Sequence, residues 1–100
     1  MREKTIEQKL FHAVREEGGL ALKLSGNAMA GMPDRLLLLP GGRIAFAEVK
    51  APGKKPRVLQ LLRMDFLRRL GFTVFVLDDP AKIPVLLKMM KAQGRKEGSA

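Results

Sequence analysis

A chain of 100 residues, 46% of them hydrophobic, suits one compact domain and excludes global disorder. It has no cysteine, which excludes disulfides and thiolate metal sites. Nineteen Lys and Arg against ten Asp and Glu give a formal charge of +9, a balance that favours a polyanionic partner.

The N-terminus, MREKTIEQKL, lacks the apolar centre of a signal peptide, and no apolar run approaches a membrane span. A soluble, cytoplasmic protein encoded by a bacterium or phage is expected. Residues 3–17 read as a helix in which Ile6, Leu10, Phe11 and Val14 recur at helical spacing; Gly18-Gly19 ends it. Residues 20–24 alternate as a short strand, and 25–33 form a loop of small residues. A strand over 34–39 turns through Pro40-Gly41-Gly42 into another over 43–50, forming a hairpin. Residues 51–56, APGKKP, make a basic turn before a helix from 57 to about 70, which Gly71 closes. The continuous apolar run FTVFVL, 72–77, has the composition of a strand buried on both faces. Asp78-Asp79-Pro80 opens a last helix, with an aspartate as N-cap and Ile83, Leu86, Leu87 and Met90 as its apolar stripe. From Gln93 the chain reads as a frayed basic tail, leaving one domain over 1–92. The order αβββαβα predicts an α/β fold, a mixed sheet with helices on its faces. Its crossover should be right-handed if the third and fourth strands are parallel.

Within this consistent pattern, Glu48 and Lys50 interrupt the apolar strand begun by Ile44, Ala45, Phe46 and Ala47. Buried charges are costly without a partner or a metal. Strand alternation places Glu48 and Lys50 on the same side as Ile44 and Phe46. With 40–42 as the turn, residue 39 lies opposite 43, and Asp34 opposite Glu48. Two carboxylates at that separation repel unless a cation lies between them, and a hard divalent ion prefers oxygen ligands. Lys50, on the same face, can hold a water beside the metal and offset charge developing on a phosphate. Taken singly, Asp34 reads better as a turn residue after Pro33, and Glu48–Lys50 as a solvated strand end; together, the register match and the interrupted apolar strand favour the metal site.

In the first helix, Glu7 falls inside the apolar face, between Ile6 and Phe11. A carboxylate there either reaches the acidic site or snorkels to water.

These residues resemble the PD-(D/E)xK nuclease core, and in detail the stand-alone form of the VRR-NUC family, the virus-type replication-repair nucleases. The resemblance rests on Glu7, Gly31-Met32-Pro33-Asp34, Glu48-Val49-Lys50-Ala51-Pro52-Gly53, Gln60 and Gly71, and spans roughly residues 3–79. It implies a restriction-endonuclease-like fold in which Asp34, Glu48 and the Val49 carbonyl ligate Mg²⁺ or Mn²⁺. Glu7 would ligate or support the ion through water, Lys50 would orient the attacking water, and Gln60 would assist from its helix. The chain departs from the family where Pro56-Arg57-Val58 replaces a small polar helix cap, and where Arg63 replaces a tryptophan.

Stand-alone members are similar to four-way junction resolvases that act as homodimers. The expected activity is therefore metal-dependent hydrolysis of DNA phosphodiesters, with branched DNA as substrate. Other outcomes are a nuclease acting on flaps or other DNA ends, and a non-catalytic basic DNA-binding module that keeps the fold. An enzyme is favoured over the binder because carboxylates facing DNA weaken binding, so a binder has no reason to keep Glu7, Asp34, Glu48, Lys50 and Gln60 together. Lys54, Lys55 and Arg57, with Arg35 beside Asp34, are candidate DNA contacts. The last helix, with Ile83, Val85, Leu86, Leu87, Met89 and Met90, is the first candidate for a dimer face; the first helix is the other.

Overall fold

The computed structural model describes residues 1–24 and 29–94; residues 25–28 of the expected loop and 95–100 of the expected tail lie outside the described residues. The elements are α1 (Glu3–Glu16), β1 (Leu20–Lys23), β2 (Arg35–Leu39), β3 (Arg43–Val49), α2 (Val58–Arg69), β4 (Thr73–Leu77) and α3 (Lys82–Lys91). They form a four-stranded mixed sheet in the order β1-β2-β3-β4. The pairs β1/β2 and β2/β3 are antiparallel, and β3/β4, joined through α2, is parallel. The Gly41-Gly42 turn has positive φ at both glycines, as a tight hairpin demands, and sets Leu39 opposite Arg43 and Arg35 opposite Ala47.

Strand alternation divides the sheet into two unlike faces. On one, Ile6, Leu10 and Val14 of α1 and Ile83, Leu86, Leu87 and Met90 of α3 close over Leu37, Leu39, Ala45, Ala47, Val49 and Leu77. Each large side chain buried there stabilises by about 1.5–3 kcal/mol, so this face carries most of the core. On the other, among the described residues, Met64 and Leu67 of α2 meet Val74 as buried hydrophobics, flanked by Met32, Phe46 and Val76. The smaller core leaves room at one end of the α2 face for polar side chains.

FTVFVL forms β4 at the edge of the sheet, with α2 over one face and α3 over the other. Two details differ from expectation. Neither Asp78 nor Asp79 is the N-cap of α3, which is Ala81. Asp79 instead accepts the Ala81 N–H at 2.9 Å, and Asp78 pairs with Lys82 at 2.7 Å. Gln93, expected to begin the frayed tail, is firmly bonded: its amide donates to the Ile44 carbonyl and accepts from the Ile44 N–H, at 2.7 and 3.1 Å. This side chain satisfies backbone groups of β3 that no strand pairs there.

Candidate active site

The hairpin register brings Asp34 beside Glu48, as the turn length requires. The Asp34 backbone N–H donates to Glu48 Oε1 at 3.2 Å, and the Val49 N–H donates to Asp34 Oδ1 at 3.2 Å. Glu48 is only 3% exposed. Its other oxygen, Oε2, accepts from Gln60 Nε2 at 2.9 Å and lies 3.1 Å from Lys50 Nζ. Asp34, Glu48, Lys50 and Gln60 therefore converge at one end of the α2 face.

Helix α2 is positioned for this contact by its own first turn and by the loop preceding Asp34. Gln60 Oε1 accepts the Arg57 N–H at 2.8 Å, so one amide both closes the start of the helix and points its NH₂ at Glu48. This fills the place of the missing small polar cap. Gly31, at φ +84°, lies so close to the helix that a Cβ would meet Leu59 Cγ at 2.7 Å. Arg63, at the position where the family favours tryptophan, donates its Nε–H to the Ala30 carbonyl at 2.9 Å. The loop that delivers Asp34 is thus fastened to the helix that delivers Gln60.

Burial, then the charge of Glu48, pushes the Asp34 carboxyl up to about 6; the Val49 N–H and the Arg35 charge oppose this, and Glu3 adds to it. Two carboxylates facing one ammonium leave the cluster short of positive charge. Its donors are hard oxygens of the kind that Mg²⁺ and Mn²⁺ accept, so the residues present fit such an ion. Among the described residues no group of three or more His, Asp or Glu side chains is placed to hold a metal.

Two expectations are corrected. Glu7 does not join the cluster: its carboxylate pairs with the Arg35 guanidinium on the opposite, α1 face of the sheet. Arg35, expected as a DNA contact, is 1% exposed and cannot reach a duplex. It follows Asp34 directly, so strand alternation turns it toward α1 while Asp34 faces α2. Glu3, on the first turn of α1, influences Asp34 and was not singled out from the sequence; it falls on no apolar face that would have marked it.

Lys54, Lys55 and Arg57 are exposed in the segment linking β3 to α2, immediately beyond Lys50. Among the described residues no helix is long and apolar enough to cross a membrane.

No family model matches the chain. A solved structure described as a VRR_NUC domain superposes with a TM-score of 0.80 at 31% identity, over 88% of this chain and 97% of that one. A relative named "Putative nuclease p44", from Acyrthosiphon pisum secondary endosymbiont phage 1, is 47% identical over 78 residues, 78% of this chain and 84% of the relative. The shared α/β architecture, at this identity and coverage, makes the chain a member of the VRR-NUC family of nucleases.

Proposed function

We propose that this nuclease is a Mg²⁺- or Mn²⁺-dependent DNA endonuclease selective for branched DNA, a four-way junction resolvase working as a homodimer. The observation that carries the reading is the convergence of Asp34 and Glu48, two carboxylates brought together at one strand end with Lys50 beside Glu48. Asp34, Glu48 and the Val49 carbonyl would hold the ion, which when bound lowers the pKa of water and offsets phosphate charge. Gln60 fixes Glu48 in one orientation through its amide. Lys50, held 3.1 Å from Glu48, orients the attacking water and meets the charge that develops on the phosphate. The water oxygen bonds to phosphorus, the bond to the 3′-oxygen breaks, and the product carries a 5′-phosphate. Lys54, Lys55 and Arg57 supply backbone phosphate contacts beside that point. With five Phe, no Trp and no Tyr, base stacking is poorly supported, and shape readout suits a junction.

A dimer matches the two-fold symmetry of a junction, in which two strands must be cut. The face expected for it, on α3, is largely spent: Ile83, Leu86, Leu87 and Met90 are buried in the chain's own core, leaving Val85 and Met89 exposed. Helix α2 is the better candidate. Val58, Leu62, Phe66 and Leu70, spaced four apart, are 73%, 59%, 46% and 57% exposed. A stripe of that kind is an apolar patch that a monomer rarely leaves open. Laid antiparallel about its midpoint, it sets Leu62 against Phe66 of a second copy.

Cleavage of labelled linear duplex, single strand, flap and four-way junction, each with and without Mn²⁺, tests the activity. Metal-dependent nicking of the junction, fastest among the four, is expected; no cleavage of any substrate would refute it. Sedimentation equilibrium at micromolar concentration tests the dimer. A mass of twice 11.1 kDa that falls to the monomer in Leu62→Lys is expected, and a wild-type monomer that still resolves junctions would exclude it.

A further inference from the structure

Arg35 is the largest fully buried side chain in the molecule, and a cation in that position needs an account. Its Nη2 pairs with the Glu7 carboxylate. Its Nη1 donates to the Asp34 carbonyl at 3.2 Å, and its Cζ lies 5.3 Å from the centre of the Phe11 ring. Its Nε has no hydrogen-bond partner among the described residues. Two residues of α1, Glu7 and Phe11, thus grip one guanidinium, and that guanidinium grips the backbone of the residue that carries the front carboxylate. Asp34 is consequently held from both sides of the sheet. Its N–H and side chain are bonded toward β3, and its carbonyl is bonded by Arg35 and by the Leu24 N–H, the latter at 2.9 Å.

We propose that Glu7 and Arg35 form a clamp that seats α1 and fixes the Asp34 backbone, and that Glu7 takes no part in holding the metal. Glu7 is a positioning residue, acting through Arg35. Its charge is already matched by the guanidinium, whereas the charges of Asp34 and Glu48 are not matched by Lys50. The sheet itself lies between the two groups. A pair built on a buried guanidinium differs from a ligand in one testable respect. When Glu7 loses its charge, Arg35 is left buried without compensation, but when both are replaced by apolar side chains of similar size the damage is largely repaired. A metal ligand cannot be repaired in that way.

The proposal rests on the metal-dependent reading for its second half alone, so the two halves have separate readouts. Glu7→Gln, Arg35→Met and the double variant Glu7→Leu/Arg35→Met are compared with wild type by thermal melting without metal, and by calorimetric titration with Mn²⁺. Arg35→Met and Glu7→Gln should each melt lower, by about 5 °C or more, and the double variant should recover most of the loss. Mn²⁺ affinity in Glu7→Gln, which keeps Arg35 and its bond to the Asp34 carbonyl, should stay within about threefold of wild type. A double variant no more stable than the worse single variant would break the clamp. A tenfold or greater loss of Mn²⁺ affinity in folded Glu7→Gln would make Glu7 a ligand and overturn the proposal. If wild type itself bound no Mn²⁺, the metal-dependent reading would fail, while the melting data would still decide the clamp.

Discussion

On the α2 face of the sheet, Asp34 and Glu48 share a single lysine; on the α1 face, one residue further along the same strand, Arg35 meets one carboxylate and an aromatic ring. Both groups sit at the same end of β2, yet their charges close differently. The α1 pair is balanced, with the guanidinium buried and the Glu7 carboxylate partly exposed. In the α2 cluster two carboxylates meet, and burial, then the charge of Glu48, pushes the Asp34 carboxyl up to about 6. Buried charge is therefore not in itself a sign of function here: the sign is charge left unmatched, on the side where the core is thin and where Lys54, Lys55 and Arg57 are exposed.

The comparison is broken most severely at Glu48. Glu48→Gln keeps the shape and, through its one remaining acceptor oxygen, either the bond from Gln60 or that from the Asp34 N–H, while removing a charge; cleavage should fall on the order of 1,000-fold in a protein that stays folded. Lys50→Ala should cost about 100-fold in cleavage without weakening Mn²⁺ binding, because it removes a competing cation rather than a ligand. Calorimetry and single-turnover cleavage on the same preparations separate these two outcomes.

Acidity sharpens the comparison further. A proton on Asp34 competes with metal, so Mn²⁺ affinity should fall by up to about tenfold per pH unit below 6, and level off above it. Without metal the sign reverses. A carboxyl whose folded pKa is about 6 and whose ordinary value is 3.8 favours folding below 3.8 and loses that contribution as pH rises through 6. Metal-free Asp34→Asn should therefore melt above wild type at pH 7.5, with the difference shrinking toward pH 4. The smallest effect belongs to Gln60→Ala, roughly tenfold in cleavage, since Glu48 keeps its charge and loses one orienting bond; the same measurements apply.

Much of this was legible in the chain. A three-residue turn at Pro40-Gly41-Gly42 fixes the hairpin register, and register alone puts Asp34 beside Glu48. The fate of Arg35 was also accessible: it is in phase with Leu37 and Leu39, both core residues, so alternation turns it inward. Reading it as a surface base neglected that phase. Its pairing with Glu7 then follows from the need of a buried cation for a partner. Helix α2 was less readable. Periodicity shows which residues share a side but not which side is covered, and Val58, Leu62 and Phe66 turn outward while Met64 and Leu67 pack. The bonds of Gln93 to Ile44 had no local signal, because they join residues 49 positions apart through one polar side chain.

The most direct test of the account is calorimetric titration of Mn²⁺ into wild type, Glu48→Gln and Glu7→Gln at pH 7.5. Saturable binding to wild type and Glu7→Gln, and its loss in folded Glu48→Gln, is the result predicted, because the α2 cluster sets two carboxylates beside one lysine while Glu7 is already paired with Arg35. Equal affinity in wild type and Glu48→Gln would contradict it.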